Sequence, residues 1–200
     1  MSRFGPDVTL NSPAFIHPTA VIHGRVILED GASLWPYAVI RAECEEVRVG
    51  RNSNLQDFVM IHTAPGFPTL VGEYCSITHH VTLHCCRIGD NCLIGINATI
   101  MDGAVIGENS IVGANAIVTE GTVIEANSIV AGTPAKAIRR RNNFIPNRVN
   151  AEMYLRNAKA YARGEHRTWT GPDFERFTQA TVARVQREYE ARYGPAVDTP

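Results

Sequence analysis

The 200-residue chain is expected to fold as a parallel β-solenoid followed by C-terminal α-helices. Three observations predict that class. Aliphatic residues recur every six positions, with Ile88, Ile94, Ile100, Ile106, Val112, Val118, Ile124 and Val130 in unbroken phase. A small residue stands four positions after most of them, namely Cys92, Ala98, Ala104, Ser110, Ala116, Thr122 and Ser128. Glycine directly follows several of the aliphatics, as at Gly50, Gly72, Gly89, Gly95, Gly107 and Gly113. A period of six fits neither a 3.6-residue helix nor a two-residue strand alternation. It fits short strands joined by tight corners, with three hexapeptides closing one triangular coil.

The repeat begins at Ile16 and continues through Ile22, Leu28, Leu34 and Ile40. A three-residue insertion precedes Val49, Leu55 and Ile61, and a four-residue insertion precedes Val71, Ile77 and Leu83. One residue is then missing before the long run from Ile88. In each hexapeptide the aliphatic side chain fills the prism and the small one sits near a corner. Residues 1–138 are therefore assigned to the solenoid and residues 139–200 to a helical extension packing on it. Within the extension, Asn150 is placed as the cap of a helix running to about Arg163 and ended by Gly164. A second helix is expected from about Asp173, after Pro172, to Tyr193, where Gly194-Pro195 stops it.

Composition narrows the function classes. With 19 basic and 20 acidic residues the net charge is -1, which gives no electrostatic reason to propose nucleic acid or an anionic membrane as partner. No run approaches the 18 or so apolar residues of a membrane span, and the first residues lack the apolar stretch of a secretory signal. A cytoplasmic location is expected. The five cysteines show no CxxC pairing, so they are read as reduced thiols, with Cys75 and Cys92 filling small-residue slots of the repeat.

The segment from Gln56 to Cys86 holds four of the seven histidines. Stepping one face per hexapeptide and treating insertions as corner loops puts Ile40, Ile61, Leu83 and Ile100 on one face in successive coils. The residues that follow them, Arg41, His62, His84 and Met101, then form an outward column with neighbours about 4.8 Å apart. His62 and His84 become adjacent. Asp57 and His79 form a second column beside a different corner, where His79 does not readily reach the first column within one chain. Three solenoids packed around a threefold axis would bring each His79 to a neighbour's His62 and His84, so a homotrimer is expected. Three neutral imidazoles suit a tetrahedral zinc that keeps one position open for water, although iron or cobalt suits them also. His80, one residue out of phase, is read as a polar or interface residue.

Over roughly residues 12–138 the pattern resembles the hexapeptide-repeat left-handed β-helix proteins, and the left hand comes from that resemblance. The segments SLWPYAVIRAE, NLQDFVMIH and THHVTLHCC further resemble the γ-class carbonic anhydrases and their relatives, over about residues 10–165. The resemblance implies reversible hydration of CO₂ to bicarbonate, with His62, His79 and His84 as the metal ligands. It implies that Gln56 hydrogen-bonds the metal-bound water and that Arg41 pairs with Asp57 across a subunit boundary. It also implies that Tyr154 or Tyr161, from the C-terminal helix, lies near the metal.

Three departures from the family pattern bear on activity. Arg41-Ala42-Glu43 stands where RGD is common, and Cys85 stands where the family has glycine. The loop TAPGFPT after His62 is short and has Pro65 where archaeal members carry a glutamate proton shuttle, which predicts slow turnover. Two other functions remain open. AGTPAKAIRR at 131–140 resembles the exit segment of hexapeptide acyltransferases, so an acyl-CoA transferase or thioesterase is the alternative. The third is a metal-binding trimer without catalysis.

Overall fold

A computed structural model describes residues 4–195 of the chain. The six-residue period becomes three columns of parallel strands, each strand usually two or three residues long. On the first face Ile22, Ile40, Ile61, Leu83, Ile100 and Val118 lie in register from coil to coil. On the second, Leu28, Val49, Val71, Ile88, Ile106 and Ile124 do so. The third stacks Ile16, Leu34, Leu55, Ile77, Ile94, Val112 and Val130. All of these except the partly buried Ile16 are buried, and each well-buried aliphatic stabilises the prism by about 1.5–3 kcal/mol.

The three-residue insertion after Ile40 leaves no break in the strand. Val39–Val49 runs through the corner and joins the first and second faces into one continuous sheet, and Val21–Leu28 does the same one coil below. The four-residue insertion after Ile61 instead projects as a tight loop, closed by a bridge between Ala64 and Phe67. Both insertions therefore leave the coil register intact. The corners demand left-handed backbone, which asparagine tolerates better than most residues, and Asn52, Asn91, Asn97, Asn109, Asn115 and Asn127 all have positive φ. Gly95 answers a different need. A Cβ there would lie 2.6 Å from the backbone oxygen of Val112 in the next coil.

The chain leaves the solenoid through Lys136–Arg140, which turns back antiparallel to Ser128–Ala131. Helix α1 (Phe144–Tyr161) then lies along the third face and α2 (Pro172–Tyr193) packs on α1. The second helix has the expected bounds to within a residue. The first begins at Phe144, ahead of the expected Asn150, because Asn150, read as its cap, bonds to the solenoid instead, as does Asn147. Asn147 Nδ2 donates to the carbonyls of Asn91 at 2.9 Å and Ser110 at 3.1 Å. Asn150 Oδ1 accepts from Ser76 Oγ at 2.8 Å. Corner carbonyls of the repeat thus find partners on the helix.

Candidate metal centre

Parallel register sets the site. His62 pairs with Arg41 below it and with His84 above it. The two imidazoles lie with centroids 5.1 Å apart, and His62 Nδ1 is 3.0 Å from His84 Nε2. Each ring meets a carboxylate at its other nitrogen. His84 Nδ1 is 2.5 Å from Asp102 Oδ1, and His62 Nε2 is 3.3 Å from Glu43 Oε2. The result is a chain of carboxylate, imidazole, imidazole and carboxylate across four successive coils. With both carboxylates ionised, every link is satisfied when the two rings together carry three N–H protons. A metal ion needs neutral ligands, so binding there would release protons.

The donor set fits a small divalent cation. Two nitrogens on a tetrahedral zinc with bonds of about 2.0 Å are about 3.3 Å apart, and the observed pair is at 3.0 Å. Both histidine side chains are roughly three-tenths exposed, at 28% and 29%, so a third ligand has an open approach.

His79 lies at a different corner, in the column expected for it. Its Nδ1 is 3.0 Å from Asp57 Oδ2, one coil away, which leaves Nε2 without a carboxylate. It opens on a cavity of about 330 Å³ lined also by Trp35, Tyr154, Asn157 and Trp169. Within the described residues, His79 makes no contact with His62 or His84. Helix α1 delivers Tyr154 edge-on to Trp35, with centroids 5.7 Å apart. Burial first, then the nearby Asp57 carboxylate, pushes the Tyr154 phenol up to about 12, so at neutral pH it is a hydrogen-bond donor and not a base.

The other expected residues distribute as follows. Gln56 is buried and donates through Nε2 to Asn54 Oδ1 at 3.0 Å. Asn54 in turn donates to Ser76 Oγ at 3.1 Å, so Gln56 belongs to the polar ladder beneath α1. Arg41 is exposed and pairs with Glu43 at 2.6 Å, while Asp57 is engaged by His79. Within one chain Arg41 and Asp57 therefore have separate partners. Among the described residues, the one group of three close metal-ligating side chains is His84, Cys85 and Asp102, whose donor atoms lie within 4.8 Å of one another. Burial, aided by the Asp102 carboxylate, pushes the Cys85 thiol up to about 11, so it sits beside His84 as a neutral thiol. The His80 ring stacks on Phe58, with centroids 4.8 Å apart.

Asp102 was not singled out by the sequence. Met101-Asp102-Gly103 reads as a turn, and the turn is there, with Gly103 at φ 68°. The signal that would have found it is the missing residue between Leu83 and Ile88. His84's corner contains only Cys85 where the next coil has both Asp102 and Gly103, and Gly103 N donates to Cys85 O at 2.8 Å. The carboxylate of the longer corner reaches down to the histidine of the shorter one.

Comparison with known proteins adds the following. The hexapeptide family described as bacterial transferase hexapeptide (six repeats) matches residues 85–120. The chain is 30% identical over 210 residues to the mitochondrial γ carbonic anhydrase 1 of Arabidopsis thaliana, covering all of this chain and 76% of that one. It is 48% identical over 81 residues to a probable carbonic anhydrase of Methanocaldococcus jannaschii, a match that spans 40% of this chain and about half of the archaeal protein. Among solved structures, a hexapeptide transferase family protein of Anaplasma phagocytophilum superposes with a TM-score of 0.69 at 31% identity, over 78% of this chain and 92% of that one.

Proposed function

The chain belongs to the γ carbonic anhydrase family of hexapeptide-repeat proteins, and we propose that it is a zinc-dependent lyase that reversibly hydrates CO₂ at a site shared between copies of a homotrimer. The observation that carries this reading is the division of the histidines. His62 and His84 face one another at 3.0 Å on one face, while His79, backed by Asp57, is presented at another corner. One chain supplies two ligands in one place and the third elsewhere. A threefold ring is a closed arrangement in which such unlike edges meet.

In this reading His62 and His84 of one copy and His79 of its neighbour hold the zinc. Bound by these residues, zinc would supply acidification of a water to a pKa of about 7, the value the carbonic anhydrases are known for, and hence a nucleophile for CO₂ at neutral pH. The chain's own residues do the rest. Gln56 orients the attacking water through its amide, its own rotamer fixed by Asn54. Arg41, freed from Glu43, pairs with Asp57 of the neighbouring copy and locks the two half-sites together. Tyr154 donates a hydrogen bond toward the substrate from the aromatic wall of the His79 cavity. The proton set free in each cycle has no carboxylate relay in the loop at 63–69, so it leaves to buffer, and turnover is slow.

The test is stopped-flow CO₂ hydration by the zinc-loaded protein at several buffer concentrations. A rate above the uncatalysed one, rising with buffer and abolished in His79→Ala, is expected. No rate above buffer in the wild type would sink the activity. Bound zinc without turnover would then mark the chain as a metal-binding trimer, and saturable coenzyme A binding would mark it as an acyl-group enzyme.

A further inference from the structure

An imidazole binds a metal through one nitrogen, and which nitrogen is free depends on where the ring's single proton sits. His84 faces His62 with Nε2 and turns Nδ1 toward Asp102. We propose that Asp102 is a positioning residue for the first half-site: by accepting the Nδ1 proton of His84 it fixes the tautomer whose Nε2 lone pair points at the metal position. The consequence for metal binding rests on the proposed role of His84 as a ligand. The tautomer itself is a property of the metal-free protein.

Four observations support the assignment. An ionised carboxylate only accepts, so a contact of 2.5 Å from Asp102 Oδ1 to His84 Nδ1 places the proton on Nδ1. The carboxylate is carried by rigid backbone. Asp102 O accepts from Gly121 N at 2.8 Å and the adjacent Gly103 N donates to Cys85 O at 2.8 Å, which ties the corner to the coils above and below. The shortened corner at Cys85 gives the Asp102 side chain its path to the coil beneath. The same device recurs at the other half-site, where Asp57 meets Nδ1 of His79 at 3.0 Å from a different face. Two expected ligands, at unrelated corners, thus have Nδ1 held by a carboxylate and Nε2 left for a metal. Removal of such a partner commonly weakens metal binding by about 10–100-fold.

The experiment uses metal-free full-length protein labelled with ¹⁵N and long-range imidazole spectra at neutral pH. His84 of the wild type is expected to show a protonated Nδ1 and an unprotonated Nε2, and Asp102→Ala is expected to shift it toward a mixture rich in protonated Nε2. In parallel, zinc affinity is measured by competition with a chromophoric chelator. Asp102→Asn and Asp102→Ala are expected to bind about 10–100-fold more weakly, with unchanged oligomer size and circular dichroism. Asp102→Glu, which keeps the charge, is expected to recover part of the loss. A wild-type His84 protonated on Nε2, or an Asp102→Ala variant with unchanged tautomer and unchanged zinc affinity, would overturn the assignment. A wild type that binds zinc but hydrates no CO₂ would count against the proposed activity alone, because the tautomer and affinity results are read without turnover.

Discussion

His79 and His80 are neighbours in sequence with opposite expected roles, and they are the sharpest comparison at the scale of single residues. His79 Nδ1 is held by Asp57, whereas His80 has a left-handed backbone, with φ 60°, and stacks its ring on Phe58. Zinc measured by elemental analysis after gel filtration is therefore expected to be lost in His79→Ala and retained in His80→Ala. Retention of zinc in His79→Ala would remove His79 from the ligand set, and loss in His80→Ala would contradict a role for His80 outside the site. Which histidines align was legible in the sequence, because counting by six across two insertions suffices to stack His62 over Arg41 and under His84. The role of Asp102 was not legible. It depends on a side chain reaching one coil down, and a six-residue count registers only backbones. The pairing of Arg41 with Glu43, two residues along one strand, is likewise a side-chain choice that the count does not register, whereas the contact of Asp57 with His79 follows from the column in which the count placed them.

At the scale of elements, the coil is stabilised by stacked aliphatics and limited by how closely successive backbones approach. Leu83 is fully buried between Ile61 and Ile100. Leu83→Ala is expected to lower unfolding free energy by about 2–5 kcal/mol in denaturant titrations. Gly95→Ala would drive a Cβ to 2.6 Å from two backbone atoms of the coil above. It is expected to destabilise clearly more than Gly121→Ala, which meets nothing within 4 Å and bears only the strain of φ +66°. Equal losses in the two glycine variants would show that corner conformation, and not interbackbone clearance, limits the repeat. The strands were legible because one chemical requirement, an inward aliphatic, repeats without exception. The start of α1 was not. Its asparagines look like loop and cap signals, and only the carbonyls of Asn91 and Ser110, which accept from its side-chain amide, explain why Asn147 faces the solenoid from inside a helix.

At the scale of the whole molecule, burial of neutral acids makes stability depend on pH on the alkaline side. The Cys86 thiol is pushed up to about 12 by burial, and Tyr154 up to about 12 by burial and Asp57. The folded state holds these protons more tightly than the unfolded chain, whose groups titrate near 9.0 for the thiol and 10.0 for the phenol. Their contribution is thus complete below about pH 9 and is lost as pH rises toward 12. The thermal midpoint of the metal-free protein is expected to fall across that window, and Cys86→Ala to reduce the fall. A midpoint independent of pH up to 11 would contradict it.

The proposed threefold assembly rests, in the sequence, on incompatibility alone, since the two expected ligand sets fall on faces that one chain does not readily bring together. Complementation between variants tests that division most directly. His62→Ala lacks one half-site and His79→Ala the other, so neither alone should bind zinc tightly. Co-assembled from a mixture of unfolded chains, a mixed oligomer contains an interface where an intact His62–His84 pair meets an intact His79. Tight zinc binding and CO₂ hydration are expected to reappear in that mixture. Mixed oligomers that form but bind no zinc, or a His79→Ala protein that binds zinc as tightly as the wild type, would contradict a site shared between copies.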